Sequence, residues 1–195
     1  MFKSRVSLLL CSGLMACAST DLASSGLLGD TSGFEQRGDD LLVDPLADED
    51  GLRGYTRVRI ERVIVHLRPE VRERGVGPNQ QRQMAGLFTK ALRAELGEHF
   101  ELVDDPSVRA ADLLLVRAAI TDAEPGDPEA GTPGNGTIEV EILDSSSRKR
   151  RAAAISRKSA RKLGTTEGER KAEADFAFRD WARAIREWLV SATNR

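Results

Sequence analysis

Cys11 and Cys17 are the only thiols in the 195-residue chain, and His66 and His99 its only imidazoles. Neither pair, alone or together, has the spacing of a metal site, and no metal ligand set emerges. The serines gather in the N-terminal quarter and in the run Ser145–Ser146–Ser147, where turn hydrogen bonding is their ordinary work. No Gly-x-Ser-x-Gly elbow and no phosphate-binding glycine loop on a helix N-terminus occurs. The close carboxylate pairs, Asp104–Asp105 and Asp122 with Glu124, fall beside prolines at a turn and a strand exit. They do not supply the two contrasting environments that acid–base catalysis needs. The residues therefore predict no catalytic set, no cofactor and no small-molecule substrate, with a hydrolase site assembled from scattered Asp and Ser as the remote alternative. One cluster exceeds background: Arg148, Lys149, Arg150, Arg151, Arg157, Lys158, Arg161 and Lys162, with no acid among them. Such a stretch is a candidate anion-binding surface for anionic lipid or lipopolysaccharide. The same residues equally suit a strand shielding its edge, or pairing with Asp39, Asp40, Asp44, Asp48, Glu49 and Asp50 upstream.

The elements that must carry these groups are legible in part. Tyr55 to Leu67 alternates as a strand, with Val58 and Ile60 in one phase and Val63, Val65 and Leu67 in the other, so a bend is expected at Glu61–Arg62. Met84, Leu87, Phe88, Ala91, Leu92 and Leu96 recur at helical spacing, starting near Pro78 or Asn79 and ending near Gly97. A short strand follows at Phe100–Val103. Leu113 to Ile120 is apolar almost without interruption, which suits a strand buried on both faces. Ile138, Val140 and Ile142 alternate with Glu139, Glu141 and Leu143, and the run turns at Asp144–Ser147 into a further strand. Last comes a helix over about 166–192. Its stripe is Ala174, Phe178, Trp181, Ile185, Trp188 and Leu189, and Thr166 with Glu169 forms a capping-box pattern. The order β-α-β-β-β-β-α predicts an α+β two-layer sandwich, a mostly antiparallel sheet of about five strands with two helices on one face.

Composition narrows the partners. The formal net charge is −2 and aromatics make up 5% of the chain, which argues against a nucleic-acid partner. Lys3 and Arg5 precede the apolar run "VSLLLCSGLMA", too short to span a bilayer. There Leu14–Met15–Ala16–Cys17 resembles a bacterial lipobox, with Ala16 in the small position before the cysteine. The resemblance implies a signal peptide over 1–16, diacylglycerol on the Cys17 thiol, and a membrane partner through that lipid. Ala18 and Ser19 after Cys17, with no aspartate next, imply the periplasmic face of the outer membrane. Loss of Lys3 and Arg5 takes the net charge from −2 to −4. Residues 17–54, rich in Ser, Gly and Asp, read as a lipidated tether reaching roughly 30–35 Å as a flexible coil, pinned to the domain at Phe34 and Leu41–Leu46. The folded domain is expected over 55–195.

Beyond the lipobox, "SGF", "GYTRVRIERVIVHL", "AAITDAEP", "EVEILDSSS" and "FAFRDWARAIREWL" resemble, in order and spacing, the bacterial lipoprotein family of unknown function DUF3313, over roughly residues 32–190. The resemblance implies an envelope location and an α+β fold, and brings no established activity. The element order is also similar to that of small periplasmic assembly domains. The expectation is a non-catalytic module with a protein partner in the envelope.

Overall fold

In a computed structural model of the chain, residues 25–37, 41–44, 50–67, 69, 76–124, 134–159 and 166–193 are described. Leu14, Met15, Ala16 and Cys17 lie outside these, as do Arg161 and Lys162. Eight strands and two helices are described: β1 (Glu35–Gln36), β2 (Leu41–Val43), β3 (Arg57–Ile60), β4 (Ile64–Val65), α1 (Pro78–Leu96), β5 (Glu101–Leu102), β6 (Leu113–Glu124), β7 (Asn135–Asp144), β8 (Arg150–Ser159) and α2 (Glu167–Thr193). A short 3-10 turn at Asp50–Leu52 leads into β3.

The strands form one open sheet in the order β1-β2-β8-β7-β6-β3-β5, with β4 also pairing β6. The expected α+β sandwich is present, but the sheet is larger and more mixed than five largely antiparallel strands. β6, β7 and β8 form the antiparallel centre, whereas β3 runs parallel to both β5 and β6, and β4 parallel to β6. The helical crossover between β4 and β5 makes this possible, because it returns the chain to the same end of the sheet. The bend expected at Glu61–Arg62 is the gap between β3 and β4.

Both helices pack on one face. Val58, Leu114, Val116, Ala118, Ile120, Ile138, Val140, Ile142 and Ala152 point there from the strands, against Phe88, Leu92 and Leu96 of α1 and Phe178, Trp181 and Leu189 of α2. Phe88 and Phe178 stack at 5.3 Å between centroids, and Trp181 lies 5.9 Å from Phe178 and 6.3 Å from Phe88. This aromatic trio joins helix to helix at the centre of the core. Trp181 also donates from Nε1 to Ser156 Oγ at 3.0 Å, satisfying its one polar atom. Its far edge meets Gly136, where a Cβ would stand 3.1 Å from the ring. The N-termini of both helices follow local chemistry: Gln80 Oε1 accepts from Gly77 N at 2.9 Å, and Thr166 and Glu169 close the reciprocal capping box.

Part of the second face is covered as well. Residues 25–34 lie over β7 and β8 as a strap, and the chain then joins the sheet edge, where β2 adds to β8 through Leu41, Leu42 and Val43 opposite Ser156, Ile155 and Ala154. Leu28 is 2% exposed, packed on Ala153 and Ile155 with Leu27, Phe34 and Leu42 around it. The domain expected to start at Tyr55 thus already includes chain from Ser25. Phe34 packs on this face and Leu41–Val43 pair with β8, whereas Leu46, also expected to pin the segment, lies outside the described residues.

Candidate functional site

Strand β7 shows why the strap docks where it does. Its alternation sends Ile138, Val140 and Ile142 into the helix-side core, so Glu139 and Glu141 must face the other way. Instead of meeting water, they are 0% and 4% exposed. A buried carboxylate is tolerated only when its oxygens are paired. Glu139 accepts from Ser25 N at 2.8 Å and from Ser25 Oγ at 2.5 Å. Glu141 accepts from Arg117 Nη1 at 2.6 Å, directly across the β6–β7 ladder, and from Arg150 Nε at 2.8 Å. Arg150 continues the chain of charges, donating to the Leu28 carbonyl at 2.7 Å and lying 3.7 Å from Asp44. Arg117 is also 3.5 Å from Glu61, which receives Arg148 at 3.2 Å. Strap and sheet are therefore joined by one apolar cluster and one charged network.

The basic stretch is divided by this geometry. Arg148 occupies the tight turn with φ of 60° and pairs with Glu61. Lys149 is exposed. Arg150 serves Glu141, Asp44 and Leu28, so one of the upstream acids considered as a partner is in fact engaged. Arg151 lies over the Tyr55 ring at 6.0 Å. Arg157 is half-buried on the strap side, while Lys158 points to the helix side and pairs with Asp180 of α2. Alternation along β8 thus sends neighbouring cations to opposite faces. The strand is not an edge either, since β2 pairs alongside it.

The serine turn is built around Asp144. Tyr55 donates its hydroxyl to Oδ2 at 2.6 Å, and Oδ1 accepts from the backbone N and hydroxyl of both Ser146 and Ser147. Burial pushes this carboxyl up, but the Tyr55 and serine hydrogen bonds outweigh it and hold it well below the ordinary value. Burial, with the same hydrogen bond, pushes the Tyr55 hydroxyl up. Asp112 is pulled to about 2 by the hydrogen bond from Arg57, and Asp104 is lowered by Arg93. These carboxylates are held ionised by structural partners, the opposite of a group poised to take up a proton. His66 and His99 are exposed, on the sheet and just beyond α1. Among the described residues no group of three or more His, Cys, Asp or Glu could hold a metal ion, and no helix is long and apolar enough to cross a membrane.

The family described as "Protein of unknown function (DUF3313)" matches residues 23–185. The chain belongs to this family. The DUF3313 match begins just before the strap and runs into α2, so the strap is part of what defines the family's domain. No curated protein matches the chain. A hypothetical protein from Chlamydia trachomatis is similar in structure, with TM-score 0.50 and 11% identity over 70% of this chain and 98% of that one. Weaker similarity extends to PelC of Paraburkholderia phytofirmans, crystallised as a dodecamer (TM-score 0.46, 9% identity, 74% and 97% covered), and to a minor lipoprotein from Acinetobacter baumannii (0.39, 12%, 70% and 94%). At such identities the first of these speaks for the fold alone.

Ser25, Leu28, Arg117, Glu139 and Glu141 were not singled out by sequence reasoning. The available signal was indirect. Leu113–Ile120 predicts burial on both sides of β6, and two helices can cover only one. The N-terminal segment lies on the other side of the sheet, over β7 and β8.

Proposed function

We propose that this DUF3313 protein is a bacterial envelope lipoprotein, acylated at Cys17, whose folded part is a non-catalytic interaction module at the periplasmic face of the outer membrane. The observation that carries this is the Leu14–Ala16–Cys17 signal after a basic start and a short apolar run. Two or more acyl chains, at about 0.8 kcal/mol for each buried CH₂, anchor a protein stably where one does not. The carboxylates of the domain support the non-catalytic reading, since Asp144, Asp112 and Glu141 are each committed to structural donors. In this reading Arg148, Arg150 and Lys158 serve the turn, the strap and α2, and an envelope protein, not a polyanion, is the domain's partner. Metabolic labelling with palmitate tests the anchor: the native chain takes up label and Cys17→Ala does not. Label retained by Cys17→Ala refutes the assignment.

A further inference from the structure

We infer that the acylated chain is held with the strap-covered face of its sheet toward the lipid bilayer and the α1–α2 layer turned away from it. This rests on acylation at Cys17 and follows from where the strap begins. Ser25 is fixed by two hydrogen bonds to Glu139, and Glu139 lies on β7. β7 is the central strand of the seven in the sheet path, with three neighbours on each side. The leash from Cys17 to Ser25 is eight residue steps, at most about 26–29 Å whatever conformation it takes. Its attachment is therefore near the middle of one broad face.

To lay the helix layer on the membrane, the leash would have to pass round a rim. Three strand spacings take about 14 Å. The helix layer beyond adds one helix diameter, about 10–12 Å. That consumes essentially the whole contour before the outer helix surface is level with the lipid. With the strap side inward, no detour is needed. Charge does not compete with this. On the strap side Arg117, Arg148, Arg150 and Arg157 stand against Glu61, Glu139, Glu141 and Asp44, a formal balance that leaves little net field to bind anionic headgroups. The occupant of this side is the bilayer surface, and leash length, not charge, selects it.

The test uses the acylated full-length mature chain, whose only cysteine is the modified one. Gly33→Cys places a thiol on the strap, where an added Cβ meets nothing within 4 Å. Ala184→Cys places one on the exposed side of α2. Each carries a fluorophore, in phosphatidylethanolamine vesicles containing a nitroxide-headgroup lipid, at low and high salt. Quenching is expected to be several-fold stronger at position 33 than at 184 and to be insensitive to salt. Twenty Gly/Ser residues inserted between Thr20 and Asp21 lengthen the contour by about 66–72 Å, and the ratio should then approach one. Equal or reversed quenching in a chain that floats with the vesicles overturns the orientation while leaving the anchor intact. A ratio lost in high salt, or unchanged by the insertion, overturns the leash and assigns the orientation to the basic residues. A chain that neither carries lipid by mass spectrometry nor floats overturns the anchor itself, and the orientation with it.

Discussion

Replacing Leu28 by alanine asks whether the strap is a working part of the fold. Leu28 is 2% exposed and sits on Ala153 and Ile155, with Leu27, Phe34 and Leu42 closing around it. The substitution removes three carbons, about 2.4 kcal/mol of transfer free energy at about 0.8 per CH₂. Leu→Ala changes in cores cost about 2–5 kcal/mol once the residual cavity is included. A strap on a sheet face relaxes more readily than a core, so a loss of about 2.5–3 kcal/mol is expected, near the low end of that range. For a domain of this size each kcal/mol lowers Tm by about 2–4 °C, giving a drop of roughly 5–12 °C. The assay is urea unfolding of the mature chain carrying Cys17→Ser, with Leu189→Ala, fully buried in α2, as the core control. A Leu28→Ala loss within about 0.5 kcal/mol, as for an ordinary surface change, refutes the reasoning if the control is strongly destabilised. A loss accompanied by a lower m-value would mean that the strap opens ahead of the rest.

Acid sensitivity is expected from Asp144. Its folded pKa lies below the unfolded value of 3.8, so the contribution is full above that value and lost as pH falls through and below it. The destabilisation by Asp144→Asn should be evident in urea midpoints at pH 7 and shrink at pH 3; parallel behaviour at both pH values refutes it. Gly136→Leu should overpack the edge of Trp181 and destabilise by about 1–3 kcal/mol, with altered tryptophan emission. An unshifted midpoint would mean that the ring moves aside freely.

Much of the architecture could be read because it is written locally. The stripe from Met84 to Leu96 and that from Ala174 to Leu189 each bury a face that repeats every turn, and both helices lie where the stripes predict. The break at Glu61–Arg62 and the serine turn were visible for the same reason. What could not be read is pairing between distant segments. Nothing local to Arg57–Ile60 says that it runs parallel to both β5 and β6. The alternation of Ile138, Val140 and Ile142 with Glu139 and Glu141 reads as one wet face, and only the remote Ser25, Arg117 and Arg150 make those glutamates interior residues. The apolar residues of this segment come in runs of one to three, too short to show a period. The thiol at Cys17 was conspicuous because its neighbours resemble a linear signal, which needs no fold to be read.

The bond from Ser25 to Glu139 spans 114 residues of sequence. Closing so long a loop in a flexible chain has a length-dependent entropic cost of about 4 kcal/mol. The segment made first is thus among the last able to settle, because its seat on β7 and β8 does not exist until most of the chain has emerged. Until then Ala153 and Ile155 lack the cover of Leu28, and Glu139 waits for Ser25. On the proposed envelope route, the interval between assembly of the central strands and arrival of the N-terminal end is the time of greatest exposure to misassociation. A lipid attached at Cys17 would shorten that search by confining one end of the loop to a surface.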